Sequence, residues 1–365
     1  MKLNPGVRRG RVTAPISKSH LHRLLIAAFL HDPKRTFAFD AEDSADIAAT
    51  KRCLNAMAQA TDAKLVLDCG ESGSTLRFLA PVAAALGFRP EFAKAGRLAS
   101  RPMIEYPAIA AGVHELAGDV SSQYVTGLLF ALPILPGDSE IRFTSPLESR
   151  GYVDMTLRVV RSAGIEVTET PEGGFAVPGG QRFREVDVSH PEGDWSGAAF
   201  WLGMNRLGSA VEVDGLDPDS AQPDRAIVRL LGRERIDVSS CPDIFPVLSV
   251  VAGALPQTTL FTGTRRLRLK ESDRTAAMRD VLTRFGVETQ MTDDTFTVFG
   301  RQAPPGAFQG WRLHQLRRPS HRHVDCGGGH HRGRSGGAGQ RRLRRQELSP
   351  VFRIVRWTRL KRCWH

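Results

Sequence analysis

Short runs that mix basic, hydroxyl and glycine residues are the first candidates for chemistry in this sequence. Lys18, Ser19 and Arg23 lie in the run 17–23, directly before the apolar residues 24–30. A lysine, a hydroxyl and an arginine about one turn into a helix can converge with the helix N-terminus on an anion. A serine cap flanked by solvated basic residues explains this run equally well when it is taken alone.

The second run, 69–78, is a loop of small residues that enters a helix. Gly73 allows backbone N–H groups to approach a ligand closely, and Arg77 adds a fixed positive charge. The run resembles a phosphate cradle, although a structural turn is the alternative. Because it has no Gly-Lys-Ser/Thr sequence, we do not expect nucleotide hydrolysis.

Further hydroxyl, amide and basic side chains follow along the chain. Ser121, Ser122 and Gln123 suit a phosphate and a sugar-like ring better than a metal. Arg101 and Ser149 lie in two more runs of this kind, 96–103 and 149–152. A helix cap is the alternative for residues 121–123, and a plain loop is the alternative for residues 149–152.

One carboxylate and one cluster of charges complete the candidates. Asp243 precedes an apolar run that extends to residue 251, so it is either a helix cap or a general base that faces a cleft. Lys270, Glu271 and Arg274 belong to a strongly charged run, 268–274, which could equally be a solvated helix start.

The elements that must position these residues follow a repeated pattern. Residues 154–177 predict a helix, a glycine, a strand, a polar turn and a second strand, and residues 277–298 predict the same order. A helical stretch, 44–58, followed by the apolar residues 64–67 is a shorter candidate copy. These repeats predict an α/β protein.

Length and charge narrow the possible classes. A chain of 365 residues favours two or more domains, and no apolar run is suited to a signal peptide or a membrane span. Residues 311–365 hold 15 Lys and Arg against two acids, whereas the rest of the chain has a net charge of −2. The basicity therefore belongs to the tail. Five cysteines without a Cys-x-x-Cys pair predict neither a disulfide framework nor a zinc site, and we expect buried or idle thiols.

Taken together and in order, the runs resemble the landmarks of the 5-enolpyruvylshikimate-3-phosphate synthase family. The resemblance covers about residues 5–308. It rests on the following sequences: Lys18-Ser19-x3-Arg23, residues 71–78, Arg101-Pro102-Met103, Ser121-Ser122-Gln123, residues 152–156, Gly193-Asp194-Trp195-Ser196, Asp243, and residues 270–274.

The resemblance implies a two-domain inside-out α/β barrel built from βαβαββ-type units, with the active site in the cleft between the domains. Residues 13–192 would form the first domain. Residues 1–12 and 193–308 would form the second, whose last unit is missing or disordered.

The resemblance also implies ligands and roles for individual residues. Shikimate 3-phosphate would contact Lys18, Ser19, Arg23, Ser121, Ser122, Gln123, Ser149, Asp243 and Lys270. Phosphoenolpyruvate would contact Lys18, Gly73, Arg101, Gln123 and Arg274. Asp243 is the predicted base, with Glu271 or Lys18 as the proton shuttle. His20 and His22 fall at variable positions of the first motif, so we interpret them as residues on the helix surface.

The tail departs from the family, because residues 300–365 lack two late basic landmarks. Residues 316–324 can be encoded so that skipping one base reads YGDHRIAM, and residues 346–352 read KSYPRF after the same shift. We therefore hypothesise a single-base frameshift between about residues 298 and 316. Residues 309–365 would be an aberrant Arg- and Gly-rich tail without a defined core, and the chain as written would have little activity.

Two other functions are alternatives for this sequence. A UDP-N-acetylglucosamine enolpyruvyl transferase would begin with a Lys-Asn pair and carry a reactive loop cysteine, and Lys18-Ser19 disfavours it. Nucleic-acid binding through the basic tail is the alternative from another class. We expect a cytoplasmic monomer that uses the two small substrates, needs no cofactor or metal, and binds neither nucleic acid nor a membrane.

Overall fold

The computed structural model describes residues 7–101, 103–106, 108–119, 121–269 and 272–301, with the side chain of Leu269 left out. Its strands are β1 (Arg9–Thr13), β2 (Val66–Gly70), β3 (Glu91–Lys94), β4 (Val113–Ala117), β5 (Ser139–Ser145), β6 (Thr168–Glu169), β7 (Phe175–Val177), β8 (Ala210–Asp214), β9 (Arg235–Asp237), β10 (Thr258–Thr262), β11 (Glu288–Met291) and β12 (Thr295–Phe299). Its α-helices are α1 (Lys18–His31), α2 (Ala45–Ala58), α3 (Gly73–Ala85), α4 (Ser122–Ala131), α5 (Arg150–Ser162), α6 (Trp195–Arg206), α7 (Ile227–Leu230), α8 (Phe245–Ala254) and α9 (Arg274–Arg284).

The predicted repeat is confirmed by two four-stranded sheets of the same topology. In the order β4-β5-β7-β6, the first pair is parallel and the other two pairs are antiparallel. The order β9-β10-β12-β11 has the same sequence of pair types. Each sheet is built from a βαβαββ run, with α4 and α5 in the first and α8 and α9 in the second.

Glycines end the second helix of each copy in the same way. Gly164 follows α5 with a φ of +80°, and Gly286 follows α9 with a φ of +71°. A side chain with a Cβ rarely adopts this left-handed conformation, so glycine is favoured directly after a helix. The third candidate copy differs, because α2 leads into β2, which forms only a two-stranded parallel sheet with β3.

Long-range pairing joins the first strand to a later part of the chain. β1 pairs in parallel with β8, from Arg9 opposite Ala210 to Thr13 opposite Asp214. Ile16 and Gly193 form an isolated antiparallel bridge nearby. Two hydrophobic clusters lie on either side of residue 190, one drawn from residues 24–188 and the other from 195–298. The predicted domain boundaries remain a prediction.

Aromatic packing holds the second cluster together. Phe245 is fully buried, and its ring meets those of Phe261 and Phe296 edge-on at centroid distances of 5.3 Å. Such contacts add to the burial of apolar area. The three free cysteines in the described residues, Cys53, Cys69 and Cys241, are also buried, as expected for Cys residues that pack as small apolar groups.

Replacing Phe245 with alanine should destabilise the chain by about 3–5 kcal/mol, because the change removes the ring and leaves a cavity between two others. The matched control is Phe39→Ala, since Phe39 is 58% exposed and should change stability by no more than about 0.5 kcal/mol. Urea unfolding followed by circular dichroism measures both. Equal losses in the two variants would contradict this account of the core.

Candidate functional site

Most of the predicted site residues lie at or next to helix N-termini. Lys18 begins α1, Gly73 begins α3, Ser122 begins α4 and Arg274 begins α9. Unpaired backbone N–H groups and the helix dipole make such positions favourable for anions. The side-chain contacts decide which of these ends can act together.

Lys18 forms an ion pair at the start of α2. Its Nζ lies 2.5 Å from Oδ2 of Asp46, and the Lys18 side chain remains 43% exposed. Burial alone would raise the pKa of Asp46, but the charge and hydrogen bond of Lys18 outweigh it, and the pKa is lowered. Lys18 is therefore a fixed cation that a ligand from solvent can still reach.

Arg23 is buried beneath this pair, with 2% of its surface exposed. Its guanidinium donates to the carbonyl of Ser19 at 2.6 Å, the carbonyl of Tyr152 at 2.8 Å and Oγ1 of Thr156 at 2.8 Å. It also lies 5.2 Å from the centroid of the Phe78 ring. Burial lowers the pKa of Arg23 to about 10, so it stays charged. In this conformation the Arg23 guanidinium links α1 to α5, and its predicted contact with a substrate remains a prediction.

A polar cluster surrounds the start of α3 and brings together three predicted phosphoenolpyruvate residues: Gly73, Arg101 and Gln123. A Cβ on Gly73 would lie 2.8 Å from Nη1 of Arg77 and 3.1 Å from Nη1 of Arg101. Gln123 accepts from Nη1 of Arg77 at 2.7 Å and donates to Oγ of Ser74 at 2.9 Å. Two guanidinium groups thus flank a glycine at a helix N-terminus, an arrangement that suits phosphate or carboxylate.

The serines at the start of α4 combine capping with burial. Ser121 Oγ accepts from the backbone N–H of Gln123 at 3.3 Å, and Ser122 is buried. The cap interpretation therefore holds for Ser121. Ligand binding by the hydroxyls of Ser121 and Ser122 remains a prediction.

Ser149 occupies an unusual backbone position before α5. Its φ of 56° makes it the non-glycine residue with a positive φ in the described part of the chain. Its Oγ donates to the carbonyl of Ser239 at 3.3 Å and accepts from Nη1 of Arg266 at 3.1 Å, while Arg266 also pairs with Glu148 at 2.9 Å. These contacts join the start of α5 to two later segments of the chain, one just after β9 and one just after β10.

Asp243 lies in a second polar cluster, close to the N-terminal ends of α8 and α9. Its Oδ1 lies 2.5 Å from Nη1 of Arg274, and its Oδ2 accepts from the Tyr152 hydroxyl at 2.8 Å. Burial and two nearby carboxylates, Asp224 and Asp243, raise the pKa of Tyr152 well above its ordinary value. Asp243 is therefore a carboxylate paired with a cation, whereas Tyr152 keeps its proton.

Two neighbouring acids complete this cluster. Asp194 caps α6 by accepting from the N–H groups of Ser196 and Gly197. Burial raises the pKa of Asp194 to about 6 and that of Asp224 to about 8. Asp194 and Ser196 belong to one of the motifs that carry the family resemblance, whereas Asp224 lies outside all of these motifs. Residues 222–224 carry no signal beyond a short helix start, because the contacts of Asp224 come from residues distant in sequence.

The prediction that His22 lies on the surface of helix α1 is wrong. The ring is 1% exposed, and its Nδ1 lies 2.8 Å from Oγ1 of Thr50. Burial lowers the pKa of His22 to about 3, so the imidazole is neutral. His20 is only part-buried and accepts from the N–H of Glu192 through Nδ1 at 3.0 Å. Most of the surface of helix α1 is buried, so the spacing of its apolar residues does not identify an exposed face.

Several predictions fall outside the described residues. Lys270 and Glu271 are among these, as is the tail 309–365 with its hypothesised frameshift and its alternative role in nucleic-acid binding. Among the described His, Cys, Asp and Glu residues, no group of three could hold a metal ion. No helix in the described ranges is long and apolar enough to cross a membrane.

Comparison with known proteins gives a consistent family. A family model described as EPSP synthase (3-phosphoshikimate 1-carboxyvinyltransferase) matches residues 104–234 and 231–310. The 3-phosphoshikimate 1-carboxyvinyltransferase of Clostridium kluyveri is 35% identical over 87% of this chain and 88% of that protein. The enzyme of the same name from Clostridium beijerinckii is 32% identical over 85% of this chain and 87% of its own length.

A solved structure of EPSP synthase from Acinetobacter baumannii has the same fold. It superposes with a TM-score of 0.63 and 18% identity, covering 83% of this chain and 86% of that one. The α/β fold implied by the sequence resemblance is thereby confirmed.

Proposed function

This chain belongs to the EPSP synthase (3-phosphoshikimate 1-carboxyvinyltransferase) family, and we propose that its site transfers the carboxyvinyl group of phosphoenolpyruvate to the 5-hydroxyl of shikimate 3-phosphate. The observation that carries the proposal is the pairing of Asp243 with Arg274 and Tyr152, which places a carboxylate beside a cation and a hydroxyl in a partly buried site. A carboxylate in such a position can serve as the base that takes a proton from a substrate hydroxyl.

We assign phosphoenolpyruvate to the cluster around Gly73. Arg101 and Gln123 lie there, and Lys18 and Arg274 would add positive charge from other helix starts. A small substrate that carries both phosphate and carboxylate needs several cations, because a buried anion without partners is costly. Because Gly73 has no Cβ, the guanidinium groups of Arg77 and Arg101 can lie against the start of α3.

We assign shikimate 3-phosphate to the hydroxyl and amide side chains that follow. Ser121, Ser122 and Gln123 at the start of α4 offer hydroxyl and amide groups, and Ser149 offers another hydroxyl before α5. Lys18, Ser19, Arg23, Asp243 and Lys270 complete the predicted set. Their chemistry fits a phosphate, a carboxylate and ring hydroxyls.

The reaction proceeds by addition and elimination. The 5-hydroxyl oxygen bonds to C2 of phosphoenolpyruvate as Asp243 takes its proton and C3 gains a proton, giving a tetrahedral ketal. Loss of phosphate from C2 and of a proton from C3 then restores the vinyl group. Lys18 or Glu271 would carry the proton to and from C3, and Arg101 and Arg274 would stabilise the anion. Closure of the proposed domains would exclude water.

One assay tests the proposal: phosphate release from shikimate 3-phosphate and phosphoenolpyruvate, by the chain as written and by a version with the reading frame restored. We expect release by the restored version and little by the chain as written, because two predicted basic ligands fall in the shifted segment. Activity with UDP-N-acetylglucosamine in place of shikimate 3-phosphate would identify the alternative transferase. Absence of phosphate release from phosphoenolpyruvate with either acceptor would refute the proposed function.

Nothing in the described residues favours the basic tail as a nucleic-acid-binding segment. A peptide of residues 311–365 tests that alternative, because binding that falls steeply with salt is the signature of phosphate contacts. The proposed monomeric state and cytoplasmic location are separate proposals, which size-exclusion chromatography and cell fractionation would test.

A further inference from the structure

Asp224 is a buried acid to which the proposed reaction gives no role. It lies in the 3-10 helix Pro223–Ala226 and is 3% exposed. Its Oδ2 accepts from Ser196 Oγ in a short contact and lies 3.5 Å from the oxygen of the Tyr152 hydroxyl. Its Oδ1 is buried and has no hydrogen-bond partner. A carboxylate in such surroundings is costly unless it carries a proton.

The Tyr152 hydroxyl lies between two carboxyl groups that differ in their partners. Asp243 has a cation, Arg274, at 2.5 Å, whereas no ion pair to Asp224 occurs in the described part of the chain. Tyr152 has one hydrogen to donate, and the 2.8 Å contact gives it to Asp243. An ionised Asp224 would compete for that hydrogen and repel Asp243. Only a protonated Asp224 is compatible with both contacts.

We propose that Asp224 is a positioning residue for Asp243: carrying a proton at neutral pH, it lets the Tyr152 hydroxyl point at Asp243 and leaves Asp243 as the one ionised carboxylate beside that hydroxyl. This inference rests on the proposed function, because it concerns the group assigned as the base. The proton of Asp224 is not transferred in the reaction. Asp224 acts through Tyr152 and touches neither substrate.

The groups that face Asp224 come from every element packed against it. Tyr152 comes from α5, Asp194 and Ser196 from the start of α6, Cys241 and Asp243 from the segment before α8, and Arg274 from α9. Burial, followed by the charge of Asp243, raises the pKa of Asp224 to about 8. Asp194, which Lys18 partly compensates, has its pKa raised only to about 6. The two acids should therefore titrate separately.

The first test compares the full chain with Asp224→Asn by equilibrium urea unfolding between about pH 5 and pH 9. Between the ordinary Asp pKa of 3.8 and about 8, the folded chain would hold a proton that the unfolded chain releases. Asp194 titrates in both proteins, so rising pH destabilises the wild type more than the variant, and the unfolding constant of the wild type should rise about tenfold per pH unit relative to the variant, up to about pH 8, where the ratio levels off. A ratio that stays constant from about pH 5 to pH 7 overturns the proposal.

A second readout, which does not depend on reversible unfolding, is the infrared carbonyl band of a protonated carboxylic acid. We expect this band in the wild type at neutral pH, its loss as the pH rises through about 8, and its absence in Asp224→Asn. The matched control is Asp219→Asn, an exposed acid in the preceding loop. The control should keep the band, and a band equally strong in Asp224→Asn overturns the proposal.

A third readout separates a positioning role of Asp224 from a purely structural role. In the frame-restored chain, kcat/KM for the wild type should fall above about pH 8 as Asp224 ionises and competes for the Tyr152 hydrogen, whereas Asp224→Asn should lack that fall. Profiles of the same shape overturn the positioning role. If neither protein releases phosphate at any pH, the proposed function fails, while unfolding and infrared measurements still decide whether Asp224 carries the proton.

Discussion

Replacing Asp243 with asparagine should lower kcat in the frame-restored chain by about 10²- to 10⁴-fold, the usual contribution of a general base. Asparagine keeps the shape of the side chain and can still accept a hydrogen bond from Tyr152, but it cannot take a proton from the 5-hydroxyl. Steady-state phosphate release with both substrates varied measures the effect. Because the Arg274 pair is only partly buried, we expect a smaller effect on folding than on turnover.

The control for Asp243 is Asp219→Asn, which removes an exposed carboxylate and should leave kcat unchanged. Equal unfolding midpoints in the two variants would show that any loss of turnover is chemical. If Asp243→Asn keeps kcat to within a few-fold while the unchanged chain is active, Asp243 is not the base. Glu271 or Lys18 would then be the next candidates.

Local order in the chain was predictable from sequence, because its causes are local. The repeat of helix, glycine, strand, turn and strand was confirmed at α5 and α9, where Gly164 and Gly286 end the helices with positive φ. The parallel pairing of β2 with β3 was not predicted, since the two strands are separated by helix α3. Parallel strands need a long crossover, and no short-range signal fixes which strands meet.

The site was predicted in part, and the misses have a common cause. Gly73, Arg101 and Gln123 lie in one polar cluster, and their contact with phosphoenolpyruvate stays a prediction. His22 was placed on the wrong side of its helix, because α1 is apolar on nearly every face and its burial depends on neighbouring helices. Asp224 was missed for the same reason: its partners, Tyr152 and Ser196, lie in other helices. Long-range packing, which no local pattern records, determines both environments.

Two lysine side chains form ion pairs with acids at or just before the start of α2. Replacing each lysine in turn tests which cation serves the reaction. Lys18 pairs with Asp46, and Lys51 pairs with Asp43 at 2.8 Å. The Lys18 side chain is 43% exposed, whereas that of Lys51 is 11% exposed and its partner only 8%. The two pairs are chemically alike but differ in how readily a ligand could reach the ammonium group.

Replacing Lys18 with methionine should lower kcat/KM of the frame-restored chain by about 10²- to 10³-fold, as for a group that stabilises charge developing in the transition state. Because the side chains of Lys18 and Asp46 are 43% and 19% exposed, loss of this pair should cost less stability than loss of the more deeply buried pair of Lys51 and Asp43. Replacing Lys51 with methionine should have the opposite profile. It leaves Asp43 buried without its cation, which costs about 3–5 kcal/mol of stability, but it should leave the kcat/KM of the folded fraction unchanged.

Phosphate release and urea unfolding are measured for both variants. We expect Lys18→Met to lose mainly activity and Lys51→Met to lose mainly stability. If Lys51→Met loses turnover as severely as Lys18→Met at temperatures where both are folded, the site extends to the second pair, and the assignment of Lys18 from its motif is too narrow. If Lys18→Met unfolds as readily as Lys51→Met and its folded fraction keeps its kcat/KM, Lys18 is chiefly structural. In that case the proton at C3 must be delivered by Glu271.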